Sequence, residues 1–251
     1  MTHQISQKYS FQIESFSELG KKANNEDSIL VCELESGIHL FIVCDGLGGH
    51  PAGEVASKIT CDTIKDYFSQ GNLEAVKSVD ILQCLEKVKE RLALYEKACP
   101  DTLGMKTTMA GVIADRFGLK IVWIGDSRVY HIRDGEILFQ TLDHSYGNYL
   151  VRKMGLSQKE AMRHPKKHKI TRVLSAERDI NPEIEKVTTI KEGDYFLICS
   201  DGLLERIDCS FIRSSFKIRS GVKDLSARIQ NTCQNKTNDN YSMVLIQVIL
   251  N

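Results

Sequence analysis

The sequence predicts an α+β fold: an antiparallel β-sandwich of two packed sheets flanked by helices, in α-β-β-α layers. Three observations point to it. Short apolar runs rich in β-branched and aromatic residues recur without the regular β-α-β alternation of a doubly wound parallel sheet. Between residues 105 and 140 such runs follow one another through tight polar turns, as in an antiparallel meander. Two blocks of helical periodicity, at 52–68 and 81–95, stand between the strand runs. A chain of 251 residues, 42% of them hydrophobic, is compatible with one domain over 1–251 and a substantial core.

Residues 8–16 alternate loosely as a first strand and lead into the polar turn Gly20-Lys21-Lys22-Ala23-Asn24-Asn25. Strands at 27–34 and 38–45 follow, joined by the hairpin turn Glu35-Ser36-Gly37. The first helix sets Val55, Ala56, Ile59, Thr63, Ile64, Tyr67 and Phe68 on one face, and the second Ile81, Leu82, Leu85, Val88, Leu92 and Tyr95. Both stripes read as core packing. The meander turns fall at Arg116-Phe117-Gly118 and Arg133-Asp134-Gly135-Glu136, and Trp123, the single tryptophan, reads as a core residue. Residues 144–172 carry eight Lys or Arg against one acid, Glu160, with short helices about Leu150 and over 158–163. A strand at 195–199, a helix near 222–233 and a strand at 241–249 complete the chain, which contains no internal repeat.

Lys plus Arg and Asp plus Glu number 33 each, so no global field recruits nucleic acid or a membrane. The basic run Arg163-His164-Pro165-Lys166-Lys167-His168-Lys169 lacks an aromatic platform or fold signature, and no nucleic-acid partner is expected. Residues 1–16 lack the apolar core of a signal peptide, and the longest apolar stretches fall short of a membrane span. Eight cysteines without any Cys-x-x-Cys read as buried reduced thiols in a cytoplasmic protein.

The chain turns on Phe41-Ile42-Val43-Cys44-Asp45-Gly46-Leu47-Gly48-Gly49-His50, an apolar run that stops on a carboxylate and opens into glycines. Such a loop lets backbone carbonyls approach an ion where a Cβ would collide. Taken alone, an Asp-Gly is most simply a surface loop. The pattern recurs, however, at Ile124-Gly125-Asp126 and Cys199-Ser200-Asp201, while Asp27 and Asp239 each stand just before a strand-like run. In antiparallel pairing the end of one strand lies beside the start of its neighbour, so five distant carboxylates can gather on one rim. Like charges in close quarters repel unless a cation sits between them. Acids without histidines beside most of them suit Mg2+ or Mn2+ better than zinc. A phosphate-cradling loop would need a Lys-Ser/Thr ending or a Gly-x-Gly-x-x-Gly, and neither is present. A cysteine-based phosphate hydrolase is set aside because no Cys is followed six residues later by Arg.

Asn25-Glu26-Asp27, Asp45-Gly46-Leu47-Gly48-Gly49-His50, Gly125-Asp126-Ser127-Arg128, Asp143-His144-Ser145, Ser200-Asp201-Gly202-Leu203 and Asp239-Asn240 resemble, in order and spacing, the motifs of the metal-dependent type 2C (PPM) protein serine/threonine phosphatases of the compact bacterial type. The resemblance runs from about Gly20 to the C-terminus. It implies hydrolysis of phosphoserine and phosphothreonine in substrates of a serine/threonine kinase, by direct attack of a water or hydroxide bridging two Mn2+ or Mg2+ ions. It further implies that Asp45 bridges both ions while the Gly46 carbonyl ligates one, and that Asp201 and Asp239 hold the other. Glu26 and Asp27 would act mostly through bound waters, and Asp126 would share a weaker third ion with Asp201.

Lys22 stands where the family carries a phosphate-gripping Arg, and completes the catalytic set Asp45, Asp201, Asp239 and Lys22. Residues 144–182 resemble a flap insertion. Its basic charge reads either as a receiver for acidic phosphoprotein segments or as a solvated face. Leu47 occupies the place of a histidine that looks like the general acid of animal relatives, and Lys106 and Ser175 stand where glycines are common. Arg128 is expected as a structural partner and Asn240 as a cap or turn. The alternative reading, a pseudophosphatase acting as a phosphoprotein-binding regulatory module, rests on Lys22, Lys106 and Ser175.

Overall fold

The computed structural model describes residues 9–47, 52–71, 73, 75–218 and 220–250. These form ten strands and six α-helices. One sheet has the order β1 (Tyr9–Glu18), β10 (Tyr241–Leu250), β9 (Tyr195–Cys199), β6 (Arg128–Arg133) and β7 (Glu136–Gln140). The other runs β2 (Asp27–Glu33), β3 (His39–Asp45), β4 (Met109–Asp115), β5 (Gly118–Ile124) and β8 (Glu183–Val187). Every pairing is antiparallel.

The inner strands are apolar on both faces because each face is covered. Phe41, Val43, Val112, Ile121 and Trp123 from one sheet meet Phe196, Ile198, Val244 and Ile246 from the other in the sandwich core. Their alternate neighbours Leu40, Ile42, Met109, Ile113 and Val122 face outward onto α1 (Gly53–Gln70) and α2 (Ser78–Ala98), through Ile64, Phe68, Leu85 and Val88, whereas Leu82 and Tyr95 of the expected α2 stripe are exposed. On the opposite side Leu197, Met243 and Leu245 pack against α5 (Cys209–Phe216) and α6 (Val222–Cys233), through Ile212, Phe216, Leu225 and Ile229. A period of two with both phases buried explains why these strands read as continuous apolar runs. The layers are therefore helix, sheet, sheet and helix, as expected.

The hairpins follow from their turn residues. Asp134 and Gly135 both adopt positive φ, 49° and 80°, the backbone of a two-residue turn that matches strand twist. Between β7 and β8 the chain forms α3 (Tyr146–Met154) and the one-turn α4 (Gln158–Ala161), capped by Ser145 and Ser157. Two elements were not expected. β8, Glu-Ile-Glu-Lys-Val, is a half-exposed edge strand whose weak alternation carries little signal. α5 is announced only by its cap, where Asp208 Oδ1 accepts the Phe211 N–H at 2.7 Å. The eight cysteines are free, and Cys44, Cys61, Cys84, Cys199 and Cys233 are buried. Among the described residues no helix is long and apolar enough to cross a membrane.

Candidate active site

Register brings the acids together. Asp27 and Asp45 are direct cross-strand partners of β2 and β3. Cys199, at the end of β9, pairs with Arg128 on one side and Met243 on the other, so Asp126, Asp201 and Asp239 flank the same strand ends. The resulting rim spans both sheets: Asp45 feels the repulsion of Asp27, Asp201, Asp126 and Asp239. Glu26 joins it, facing Glu54 of α1 as well as Lys22 and Asp239.

Two close chain crossings hold the rim in shape. A Cβ on Gly46 would collide with the backbone of Gly53, so the loop after Asp45 can lie against the start of α1 only with glycine there. The start of β10 is wedged similarly, since a Cβ on Gly20 or Gly202 would run into the carbonyls of Asp239 or Asn240. The requirement at Gly46 is therefore backbone packing as well as access to its carbonyl. Gly48, Gly49 and His50 of the same motif lie outside the described residues.

Polar side chains fix the acids, among them Asn240 and Arg128, which the sequence marked, and Thr108, Ser200 and Ser242, to which it gave no role. The Asp45 carbonyl accepts the Thr108 N–H at 2.8 Å and the Thr107 hydroxyl at 2.9 Å, while the Asp45 N–H donates to Thr108 Oγ1 at 3.2 Å. Ser200 Oγ donates to Asp27 Oδ2 at 2.7 Å and accepts the Ser242 N–H at 2.9 Å. Asn240 stitches the Lys22 turn to β10: its Oδ1 accepts the Glu26 N–H at 3.0 Å, and its Nδ2 donates to the Leu19 and Asn24 carbonyls, each at 2.9 Å. Arg128 grips Asp143 through Nε at 2.6 Å and Nη2 at 2.7 Å, a bidentate structural pair. His144, unassigned by the sequence reading, is buried and stacked on Trp123 with centroids 6.2 Å apart. Its Nδ1 accepts the Gly125 N–H at 3.0 Å and its carbonyl accepts the Thr171 N–H at 2.7 Å, linking the Asp126 loop to the basic interval. Burial, with Arg172 nearby, pushes the His144 imidazole down to about 4, so it is neutral near pH 7.

Electrostatics set the rim apart. Burial, then mutual repulsion, holds Asp45 well above the usual carboxylate range and lifts Asp126 to about 7. Burial lifts Asp27 to about 6 against the hydrogen bonds of Ser242 and Ser200, and it raises Asp201 with help from Asp239. The neighbouring Asp45 carboxyl works the other way on Asp201 and offsets part of that rise. Lys22 Nζ lies 3.1 Å from Asp239 Oδ1, and this contact, partly opposed by desolvation, raises the lysine. Leu47 donates its N–H to the Lys106 carbonyl at 3.0 Å, and Thr107 bridges Gly46 to Leu174, beside the buried Ser175.

Among the described residues no three His, Cys, Asp or Glu side chains are already drawn into a cage for an ion. The carboxylates are instead turned onto one another, onto Lys22 and onto serines. The donor set nonetheless fits a hard cation, because it is all oxygen. Of the buried side-chain polar atoms that lack a partner among the described residues, Asp27 Oδ1 and Asp126 Oδ1 belong to this rim and Ser175 Oγ lies near it. Sites of this kind leave oxygens unsatisfied until an ion arrives.

Residues 17–244 match the family model described as protein phosphatase 2C. The chain is 31% identical over 234 residues to the serine/threonine protein phosphatase PstP of Mycobacterium tuberculosis, covering 91% of this chain and 43% of that protein. The chain thus spans less than half the length of that relative. The serine/threonine phosphatase of S. agalactiae superposes with a TM-score of 0.85 at 27% identity, over 96% of this chain and 100% of that one. The catalytic domain of the phosphatase PstP, solved in complex with two manganese ions, superposes with a TM-score of 0.77 at 27% identity, over 96% and 99% of the two chains.

Proposed function

The chain belongs to the protein phosphatase 2C family, and we propose that it hydrolyses phosphoserine and phosphothreonine in proteins with the help of divalent cations held at the acid rim. The observation that carries this reading is the convergence of Asp27, Asp45, Asp126, Asp201 and Asp239 at neighbouring strand ends, where Lys22 is the one ion-pair partner of these five among the described residues. Asp45, Asp201 and Asp239, with the Gly46 carbonyl, would hold two Mn2+ or Mg2+ ions. Glu26 and Asp27 would support them, and Asp126 with Asp201 would take a third. Bound there, the ions neutralise phosphoryl oxygens and make hydroxide available near neutral pH.

Among the described residues, the thiols and the hydroxyl nearest the rim leave the nucleophile to water. Cys199 is buried and pushed up to about 12, and Cys44 is buried with its thiol held above its usual range. Ser200 is committed between Asp27 and Ser242. Hydrolysis without a covalent phosphoenzyme is the consistent route. Lys22 sits at the mouth of the rim, where its ammonium can move from Asp239 to a substrate phosphate as a point charge. Eight free thiols suit a reducing, cytoplasmic setting.

Turnover of a phosphothreonine peptide or p-nitrophenyl phosphate with Mn2+, stopped by chelation and removed by Asp201→Asn, tests the proposal. One observation favours a second reading: the Lys22–Asp239 ion pair occupies an expected ligand. Phosphopeptide binding without turnover would identify the protein as a binding module instead.

A further inference from the structure

A cavity of about 810 Å3 opens between α3 and residues 171–172, its wall including Tyr146, Tyr149, Arg152, Lys153 and Arg172. Its size is that of a ligand pocket. Asp143 and His144 also line it, and His144 Nδ1 accepts the N–H of Gly125, the residue before Asp126, at 3.0 Å, so the cavity adjoins the acid rim.

The charges of the wall do not cancel. Asp143 is neutralised by its bidentate pair with Arg128. Arg152 Nη1 and Arg172 Nη1 both turn to a single carboxylate oxygen, Glu183 Oε1, at 2.8 and 3.5 Å. One acid thus serves two guanidinium groups. Lys153 is exposed and has no ion-pair partner among the described residues. The cavity consequently carries a surplus of about two positive charges, counting each group at its ordinary protonation. The backbone does not supply this attraction, because the first N–H groups of α3 already donate to Lys169, Lys167 and Ser145. Tyr146 and Tyr149, stacked with centroids 5.9 Å apart, add an apolar wall for the stem of a side chain.

We propose that this cavity is a second anion site of the enzyme. It takes a further phosphoryl group, or more weakly a carboxylate, on the same protein segment that presents its phosphoserine or phosphothreonine to the acid rim. A dianion matches the surplus charge better than one carboxylate does. The inference rests on the phosphatase reading and extends it to a substrate class, segments phosphorylated or acidic at more than one position.

The test uses phosphothreonine peptides of one sequence whose neighbours on either side are alanine, glutamate, lysine or a non-hydrolysable phosphonate analogue of phosphoserine. For the full chain with Mn2+, kcat/KM should be about three- to tenfold higher with the phosphonate neighbour than with alanine, chiefly through KM, with glutamate between them. Lys153→Ala should reduce that ratio and Lys153→Glu should invert it in favour of lysine neighbours, an inversion that a merely structural role for Lys153 would not produce. Equal kcat/KM across the neighbours, or an acid preference that survives Lys153→Glu, overturns the second site. If p-nitrophenyl phosphate and every peptide resist hydrolysis, the phosphatase reading falls and this inference with it. Hydrolysis without a charge preference overturns this inference alone.

Discussion

The two ends of β9 treat a buried aspartate in opposite ways. At the start of the strand Asp194 is fully buried, yet Arg133 grips it through Nε at 2.6 Å and Nη2 at 2.7 Å, and His131 Nε2 lies 2.9 Å away. Burial works to raise this carboxyl, but Arg133 and His131 outweigh it and hold it down at about 2. At the other end Asp45, Asp27, Asp126 and Asp201 are all raised. Burial alone does not separate the ends: Asp194 and Asp27 are both buried, Asp45 and Asp126 are half-buried and Asp201 lies more open, yet only Asp194 is lowered. The difference is the countercharge, which the chain builds in beside Asp194 and leaves to be supplied at the rim, apart from Lys22 at its mouth. One end is finished by folding alone, and the other is poised for a ligand.

The sharpest way to break this contrast is to neutralise one acid at each end. Asp201→Asn should lower turnover by about a thousandfold, the scale of losing a principal electrostatic contact to the transition state, while the metal-free protein melts higher because repulsion is relieved. Asp194→Asn should do the reverse. It should leave Arg133 and His131 uncompensated and cost about 3 kcal/mol in urea unfolding, with Mn2+-supported turnover retained in the folded fraction. A metal-free Asp201→Asn protein that melts lower than the parent would remove the idea that the rim stores repulsion.

The pH dependence of the two ends should also be opposed. At the rim the folded carboxyls bind protons more tightly than unfolded ones, so between the ordinary value of 3.8 and the folded values of about 6 and 7 the folded state holds more protons. The rim's contribution to stability therefore falls as pH rises through that window. For Asp194, lowered to about 2, the stabilisation is present above 3.8 and lost as pH falls through 2. Melting curves of the chelated protein should decline from about pH 4 to 7, and Mn2+ should abolish the decline. A flat profile in chelator would contradict the raised carboxyls.

A smaller effect is expected at Lys22, the rim's protein-supplied cation. Lys22→Ala should raise KM for p-nitrophenyl phosphate about fivefold with less change in kcat. An unchanged KM would leave Lys22 as a partner of Asp239 only.

Only the rim side of this contrast was legible before folding; the Asp194 pair was not. Asp45, Asp126 and Asp201 end apolar runs and Asp27 and Asp239 precede them, so antiparallel pairing could gather them on one rim. Arg128 as a structural partner was legible as well. His144, Ser200, Thr107 and Thr108 were not, because a short polar side chain in a strand or turn carries no mark of the carboxylate or amide it will meet. The Glu183 hub was hidden in a weak edge strand, and α5 in a single cap residue.

The order of apolar runs and the acids at their ends, with helices on two outer faces, were determined by the linear chain, since period and turn chemistry are local properties. Tertiary structure alone decided which acids receive an internal cation and which do not. The Arg133–Asp194 pair joins residues 61 positions apart, and the Lys22–Asp239 contact joins two ends of the chain. Charge compensation depends on distances of a few ångströms in space, and only the packed sheets set those.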